Sequence, residues 1–253
     1  MFGFIGFSGQ EAVTEVFEGD RMKRLVTFGL AVALIIITIG AGTPNANVHA
    51  QGAGLVSSIL NSIERNQRDL RSLRAAISME KYNAQIGEND KYQGVVLYVP
   101  AKGRNANVRV DWRSPQLETI SVSNGQYVLY QPRKKTAYVG NARSSKNKVG
   151  GVFELLNLSG TELRNRFQVA WLGQETLYGG IATNHLKIVP KSASSYQYAE
   201  AWVDGNGMVV QTKIIERNND ATTVRLTNIE KNARLSNGDF RLDLPGDVKK
   251  IRG

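Results

Sequence analysis

Ile120-Ser121-Val122-Ser123-Asn124-Gly125-Gln126-Tyr127-Val128-Leu129-Tyr130-Gln131-Pro132 is the stretch from which the fold is read. Asn-Gly accepts the left-handed backbone that a two-residue hairpin turn requires. Strands are therefore expected over Leu117 to Val122 and over Gln126 to Tyr130. Proline has no N–H to give a strand ladder, so Gln131-Pro132 closes the second strand. A tight hairpin of this kind belongs to an antiparallel sheet, because parallel strands need a long crossover.

The same pattern continues upstream. In Asn107 to Arg113, Val108, Val110 and Trp112 take one face and Arg109, Asp111 and Arg113 the other, before Ser114-Pro115 ends the strand. Gly94 to Val99 is another strand, stopped by Pro100 and a Lys102-Gly103-Arg104-Asn105 turn. From Leu73 the period is also two: Ala75, Ile77, Met79 and Lys81 alternate with Ala76, Ser78, Glu80 and Tyr82. Before that strand the period is that of a helix. Leu55, Val56, Ile59, Leu60 and Ile63 form one apolar stripe over Gly54 to about Asn66. Arg65, Arg68, Arg71 and Arg74 follow as a basic segment.

Downstream, Thr136 to Val139 is a short strand, and then the period changes. Val149 to about Leu158 carries Val152, Phe153, Leu155 and Leu156, too crowded for a half-buried strand, and reads as a short amphipathic helix. Ser159-Gly160-Thr161-Glu162 forms a capping box that opens a second one through about Arg166. Strands are then expected over Phe167–Leu172, Thr176–Val189, Tyr196–Val203, Met208–Glu216 and Thr222–Ile229. Asp204-Gly205-Asn206-Gly207 and Asn218-Asn219-Asp220 are hairpin turns. So many serial hairpins predict one mainly β domain. Its antiparallel sheet is large enough to curve strongly, with helices at its start and middle.

The N-terminus reads as an address. Lys23 and Arg24 follow Met22, Leu25 to Gly42 is apolar without a charge, and Val48-His49-Ala50 offers a cleavage site before Gln51. This is the three-part pattern of a secretion signal over residues 22–50. The apolar run of about 18 residues would also serve as an uncleaved membrane anchor. Residues 1–21, with Glu11, Glu15, Glu18 and Asp20, suit no export signal. They are read either as preceding the true start at Met22 or as a cytoplasmic extension. Residues 51–253 then form the single domain, and the expected location is the periplasm.

The chain carries a formal net charge of +10. Taking away the three basic and four acidic residues of positions 1–50 leaves 29 basic and 18 acidic ones, a net +11. Such a surface suits solubility, anionic headgroups or an acidic partner, whereas export argues against nucleic acid. With no cysteine there is no disulfide, thiolate metal site or N-terminal lipid attachment. Catalytic signals are missing as well. His185 is the single histidine after position 50, no G-x-S-x-G elbow or phosphate-binding loop occurs, and no metal or cofactor is expected. A carboxylate pair such as Glu200 with Glu216 is conceivable on adjacent strands. No enzyme is therefore expected. The apolar face of the sheet is either an ordinary core under its helices or a partly open pocket for an acyl chain.

Residues 120–132 resemble the hairpin of the LolA family of periplasmic lipoprotein carriers. Gly94-Val95-Val96-Leu97-Tyr98 and Val108-Arg109-Val110-Asp111-Trp112-Arg113-Ser114-Pro115 are similar to the paired strands before it. Ala201-Trp202-Val203-Asp204 with Gly207-Met208-Val209-Val210 resembles a later hairpin, and Asn228-Ile229, Phe240 and Leu244-Pro245 resemble the closing segment. The resemblance implies an incomplete β-barrel covered by helices acting as a lid. Its cavity would bind the acyl chains of lipoproteins, which the protein ferries from the inner to the outer membrane. Val96, Tyr98, Val108, Val110, Trp112, Ile120, Val122 and Leu129 would line that cavity, with Phe153 and Leu156 under the lid. The family's arginine at the lid switch has no counterpart in Tyr98-Val99-Pro100, and Arg104 is the candidate substitute. The implied partners are lipoproteins, an inner-membrane transporter that releases them and an outer-membrane acceptor, met by a monomer. The alternative is a non-catalytic envelope module of the same fold that binds anionic lipid or an acidic protein.

Overall fold

A computed structural model describes residues 46–100, 106–141 and 159–252. They lie within one compact unit, Thr43–Gly253. The chain begins with α1 (Ala46–Asp69). There follow β1 (Leu73–Asn83), β2 (Glu88–Val99), β3 (Asn107–Ser114), β4 (Glu118–Ser123), β5 (Gln126–Gln131) and β6 (Thr136–Asn141). A short α2 (Gly160–Arg166) precedes β7 (Phe167–Leu177), β8 (Ile181–Pro190), β9 (Tyr196–Asp204), β10 (Val209–Glu216) and β11 (Ala221–Lys231). The last strand is β12 (Lys249–Arg252).

These twelve strands form one sheet in the order β12-β6-β5-β4-β3-β2-β1-β11-β10-β9-β8-β7. It ends in two edges rather than closing, which is the open, curved, mainly β architecture expected. Asn124 and Gly125 take φ of 51° and 76° and turn β4 into β5 as a hairpin. The capping box at α2 is present as read: Ser159 accepts from the Glu162 N–H, and the Glu162 carboxylate accepts from the Ser159 N–H.

Three expectations are corrected. The strand expected over Thr176–Val189 is two, because Gly179 and Gly180 take φ of 88° and 79° and turn β7 into β8. Glu200 and Glu216 do not face one another. In the register of β9 and β10, Glu200 lies opposite Lys213, and Glu216 opposite Tyr196. The sheet is not wholly antiparallel, since β12, which periodicity did not signal, pairs parallel to β6. The helix expected over Val149–Leu158 lies outside the described residues, as do Arg104 and residues 22–45 of the expected secretion signal, whose last residues, Ala46–Ala50, fall in α1.

The C-terminal arm explains β12. After β11 the chain crosses the face of the sheet opposite α1. Arg109 Nη1 donates to the Asp239 carbonyl at 2.9 Å, and Ser121 Oγ to that of Phe240. Phe240 is buried there. The arm then reaches the far edge, where Lys135 and Asp247 pair at 2.8 Å. The Asp239 carboxyl is held below its usual pKa, first by hydrogen bonds from Ser236 and then by Arg74 and Arg109.

The main core lies on the other face, under α1. Ile59, Leu60 and Ile63 on the helix meet Leu73, Ile77, Val96, Val110, Leu186, Ile188, Val224 and Leu226 of the sheet in one cluster. Of the stripe read from sequence, Ile59, Leu60 and Ile63 are buried, Val56 is half-buried and Leu55, near the start of the helix, is exposed. The stripe runs one turn further than expected, through Asn66 to Leu70. Two glycines let backbone approach backbone. A Cβ at Gly207, in the β9–β10 turn, would stand 2.2 Å from the Ser62 carbonyl oxygen, and one at Gly160 would stand 2.0 Å from that of Leu60.

Candidate functional site

Register places the expected cavity residues together on the face that holds α1. Ala75, Val96, Val110, Ile120 and Leu129 form one cross-strand row over β1 to β5. Leu73, Tyr98, Val108, Val122 and Tyr127 form the next. Trp112 lies beside the first row, opposite Gly94, and packs edge-on against Tyr92 with ring centroids 5.7 Å apart. Val96, Tyr98, Val110 and Trp112 are buried, while Val108, Ile120, Val122 and Leu129 are half-buried. The gradient follows the helix: α1 touches β7, the β9–β10 turn and the end of β11, on the side of the sheet away from β3 to β5, and the rows run out beyond it. Phe153 and Leu156 fall outside the described residues.

A hollow of about 30 Å³ remains where α1 meets the sheet. Leu70, Leu73, Val96, Tyr98, Met208, Val209 and Leu226 make its apolar wall, and Asn66 and Gln67 its polar end. Of the expected cavity residues, only Val96 and Tyr98 touch it. The sequence reading missed the rest, which come from the end of α1 and the turn after it, the start of β1, the β9–β10 hairpin and β11; all but Leu73 of β1 are brought beside β2 only by the fold. Leu70 was within reach of the sequence, one turn beyond Ile63 and Asn66 on the same helical face. A volume of 30 Å³ is about one water's share of the liquid, an order of magnitude under the roughly 300 Å³ at which ligand pockets begin. A longer apolar guest does not fit within the hollow as it stands.

Asn66 is the polar anchor of the helix over this hollow. It is 8% exposed, its Nδ2 donates to Met208 Sδ at 3.4 Å, and its Oδ1 accepts from Lys231 Nζ at 2.5 Å. The phenol of Tyr98 is pushed up to about 12 by burial. The folded protein therefore keeps that proton where the unfolded chain, near pKa 10, releases it. Stability from this group is complete below about pH 10 and should fall as pH rises to about 12, by roughly 2–3 kcal/mol. Urea midpoints measured across that range should show the decline, and Tyr98→Phe should flatten it. Tyr92, raised first by burial and then by Asp90 and Glu118, keeps its own slope.

His185 is remote from the hollow. It projects from the opposite face of β8 to Leu186, stacks on Trp202 at 4.2 Å, and stands 3.3 Å from both Glu175 and Glu200. Trp202 Nε1 donates to Glu175 at 2.7 Å. Among the described residues no group of three or more such side chains is arranged to hold a metal ion, and no helix is long and apolar enough to cross a membrane.

An open sheet curled over one amphipathic helix, with an apolar hollow between them, defines a half-barrel protein. Residues 101–243 match the family described as "Outer membrane lipoprotein carrier protein LolA", and the chain belongs to that family. No curated protein matches it in sequence. Among solved structures it is similar to an uncharacterized conserved protein from Thermus thermophilus, with 10% identity over 79% of this chain and 99% of that one and a TM-score of 0.50. It is also similar to LprF from Mycobacterium bovis, with 11% identity over 77% and 98% of the chains and a TM-score of 0.46. The Pseudomonas aeruginosa MucA/MucB complex gives 10% identity and a TM-score of 0.47, over 74% of this chain but 61% of that one. At these identities the likeness is one of fold.

Proposed function

We propose that this protein is a non-enzymatic periplasmic carrier. It holds the acyl chains of a lipoprotein against the concave face of its sheet and ferries them from the inner to the outer membrane. One observation carries the reading. Two unbroken apolar rows run across five strands, and α1 leaves a hollow against them instead of a closed contact. The energetics suit a carrier. Each methylene moved from water to such a face gains about 0.8 kcal/mol, so a lipidated protein is held without covalent chemistry. Seating it costs the contacts of α1 with the sheet, which makes exchange with a membrane partner reversible. Loading would fall to an inner-membrane transporter and unloading to an outer-membrane acceptor.

The test is a titration of the full-length chain with a fluorescent acyl probe bearing a neutral head, and with a purified lipoprotein. Both should bind saturably and hold at high salt, since burial rather than charge drives them. The same lipoprotein without its lipid should not bind. Failure of both lipidated ligands to bind would sink the proposal.

A further inference from the structure

We propose that the rim at the C-terminal end of α1 is a headgroup site for an anionic amphiphile, whose phosphate-bearing head rests on Arg71, Lys231 and Arg234 while its chains lie along the concave face. This inference rests on the acyl-binding reading above and names the ligand class that the same site prefers.

The fold brings two basic segments together here. The turn from α1 into β1 is tied to the end of β11. The Arg71 N–H donates to Asn232 Oδ1 at 2.8 Å, that of Asn232 to the Ser72 carbonyl at 2.8 Å, and Ser72 Oγ to the Ala233 carbonyl at 2.6 Å. Lys231 lies opposite Leu73, a wall residue of the hollow. Lys231 Nζ thus meets Asn66 at the end of the hollow, and Arg65, Arg68, Arg71 and Arg234 lie in the two segments so joined, with Glu64, Asp69 and Glu230 among them. Arg68, Arg71 and Arg234 are exposed and make no ion pair with another described residue. One cation in the last turn would answer the helix dipole, and Arg68 supplies it. Arg71, Lys231 and Arg234 lie beyond the helix and have no such task.

The hollow has the matching polarity. Its wall is mostly apolar, and of its polar residues, Asn66 and Gln67, the first meets Lys231. Lys231 Nζ already reaches into that end to meet Asn66 Oδ1. A phosphate at the rim would take this ammonium from the buried amide and gain charge-assisted hydrogen bonds from the two guanidiniums. It would also loosen α1 from β11, so that the arriving head helps to free the face its chains need.

The experiment compares dihexanoyl phosphatidylglycerol with dihexanoyl phosphatidylcholine, both below their micelle-forming concentrations, on the full-length chain at low salt. The chains are identical, so a difference reports the head. Phosphatidylglycerol should bind about tenfold tighter. The margin should shrink at high salt and all but vanish in Arg71→Gln/Arg234→Gln, with phosphatidylcholine, whose choline cation already offsets its phosphate, losing far less affinity than phosphatidylglycerol. That variant leaves the Lys231–Asn66 contact in place, and its circular dichroism melt should match the parent. Equal affinity for the two lipids, or a margin untouched by the double variant, would overturn the headgroup site and leave acyl binding standing. Binding of neither lipid would take both readings down. Inorganic phosphate bound as tightly as phosphatidylglycerol would assign the rim to free phosphate, and the amphiphile would be wrong.

Discussion

Replacing Gly207 with alanine should destabilise the protein by about 3 kcal/mol or more and loosen α1 from the sheet. Two costs add at this position. Its φ of 79° is one that residues with a Cβ rarely adopt, a strain of order 1–3 kcal/mol. The new methyl would also stand 2.2 Å from the Ser62 carbonyl oxygen and 2.9 Å from the Ile63 amide nitrogen. Both neighbours are helix backbone, which cannot rotate aside as a side chain can. Relief must come from moving the hairpin or the helix, and the buried contacts of Ile59, Leu60 and Ile63 go with it. Gly205→Ala is the control two residues away. Its backbone is ordinary and its Cβ would meet nothing within 4 Å, so it should stay within about 0.5 kcal/mol of the parent. Chemical denaturation of the two variants separates close approach from a general intolerance of the turn. Equal midpoints would refute the claim that Gly207 seats the helix.

The second large effect is expected at Trp112. It is 4% exposed, meets Tyr92 edge-on, and belongs to the cluster shared with α1. Truncation to alanine should cost about 3–5 kcal/mol, the transfer of a large aromatic plus the hole it leaves. Trp112→Phe keeps most of the apolar volume and the aromatic edge, so it should lose far less. Both can be measured by urea denaturation followed by circular dichroism, which does not depend on the lost tryptophan's fluorescence. If alanine and phenylalanine cost the same, the residue would not be filling the core as described.

Much of this molecule is legible before any fold is known. The Asn124-Gly125 turn, the alternation through Val108, Val110 and Trp112, the α1 stripe and the Ser159 capping box are local signals. Each depends on residues within a few positions of one another, so sequence spacing suffices. Where the reading went wrong, local signals were silent or blurred. The apolar, β-branched residues of Ile181–Pro190 extended a strand pattern backward across Gly179-Gly180. For Lys249–Arg252 there was no alternation to see. That strand exists because Phe240 and the arm before it are anchored by Arg109 and Ser121, and the anchoring delivers the chain to the free edge of β6.

The candidate site divides in the same way. Val108, Val110, Ile120 and Val122 share one face because side chains alternate along a strand and the hairpin turn sets the register, and both facts are written in residues 107–126. That Leu70, Met208 and Leu226 close on Val96 and Tyr98 to leave a hollow could not be written there, since these residues come from four separated segments. The same holds for the rim, where Leu73 lies opposite Lys231 and the Arg71 N–H meets Asn232 only because β1 pairs with β11. By itself the sequence determined most of the strands, their facing sides and the helix that packs on them, because those follow from period and turn chemistry. The tertiary structure alone decided how far the helix closes over the sheet and which charges gather at its end, because both depend on contacts between residues more than a hundred positions apart.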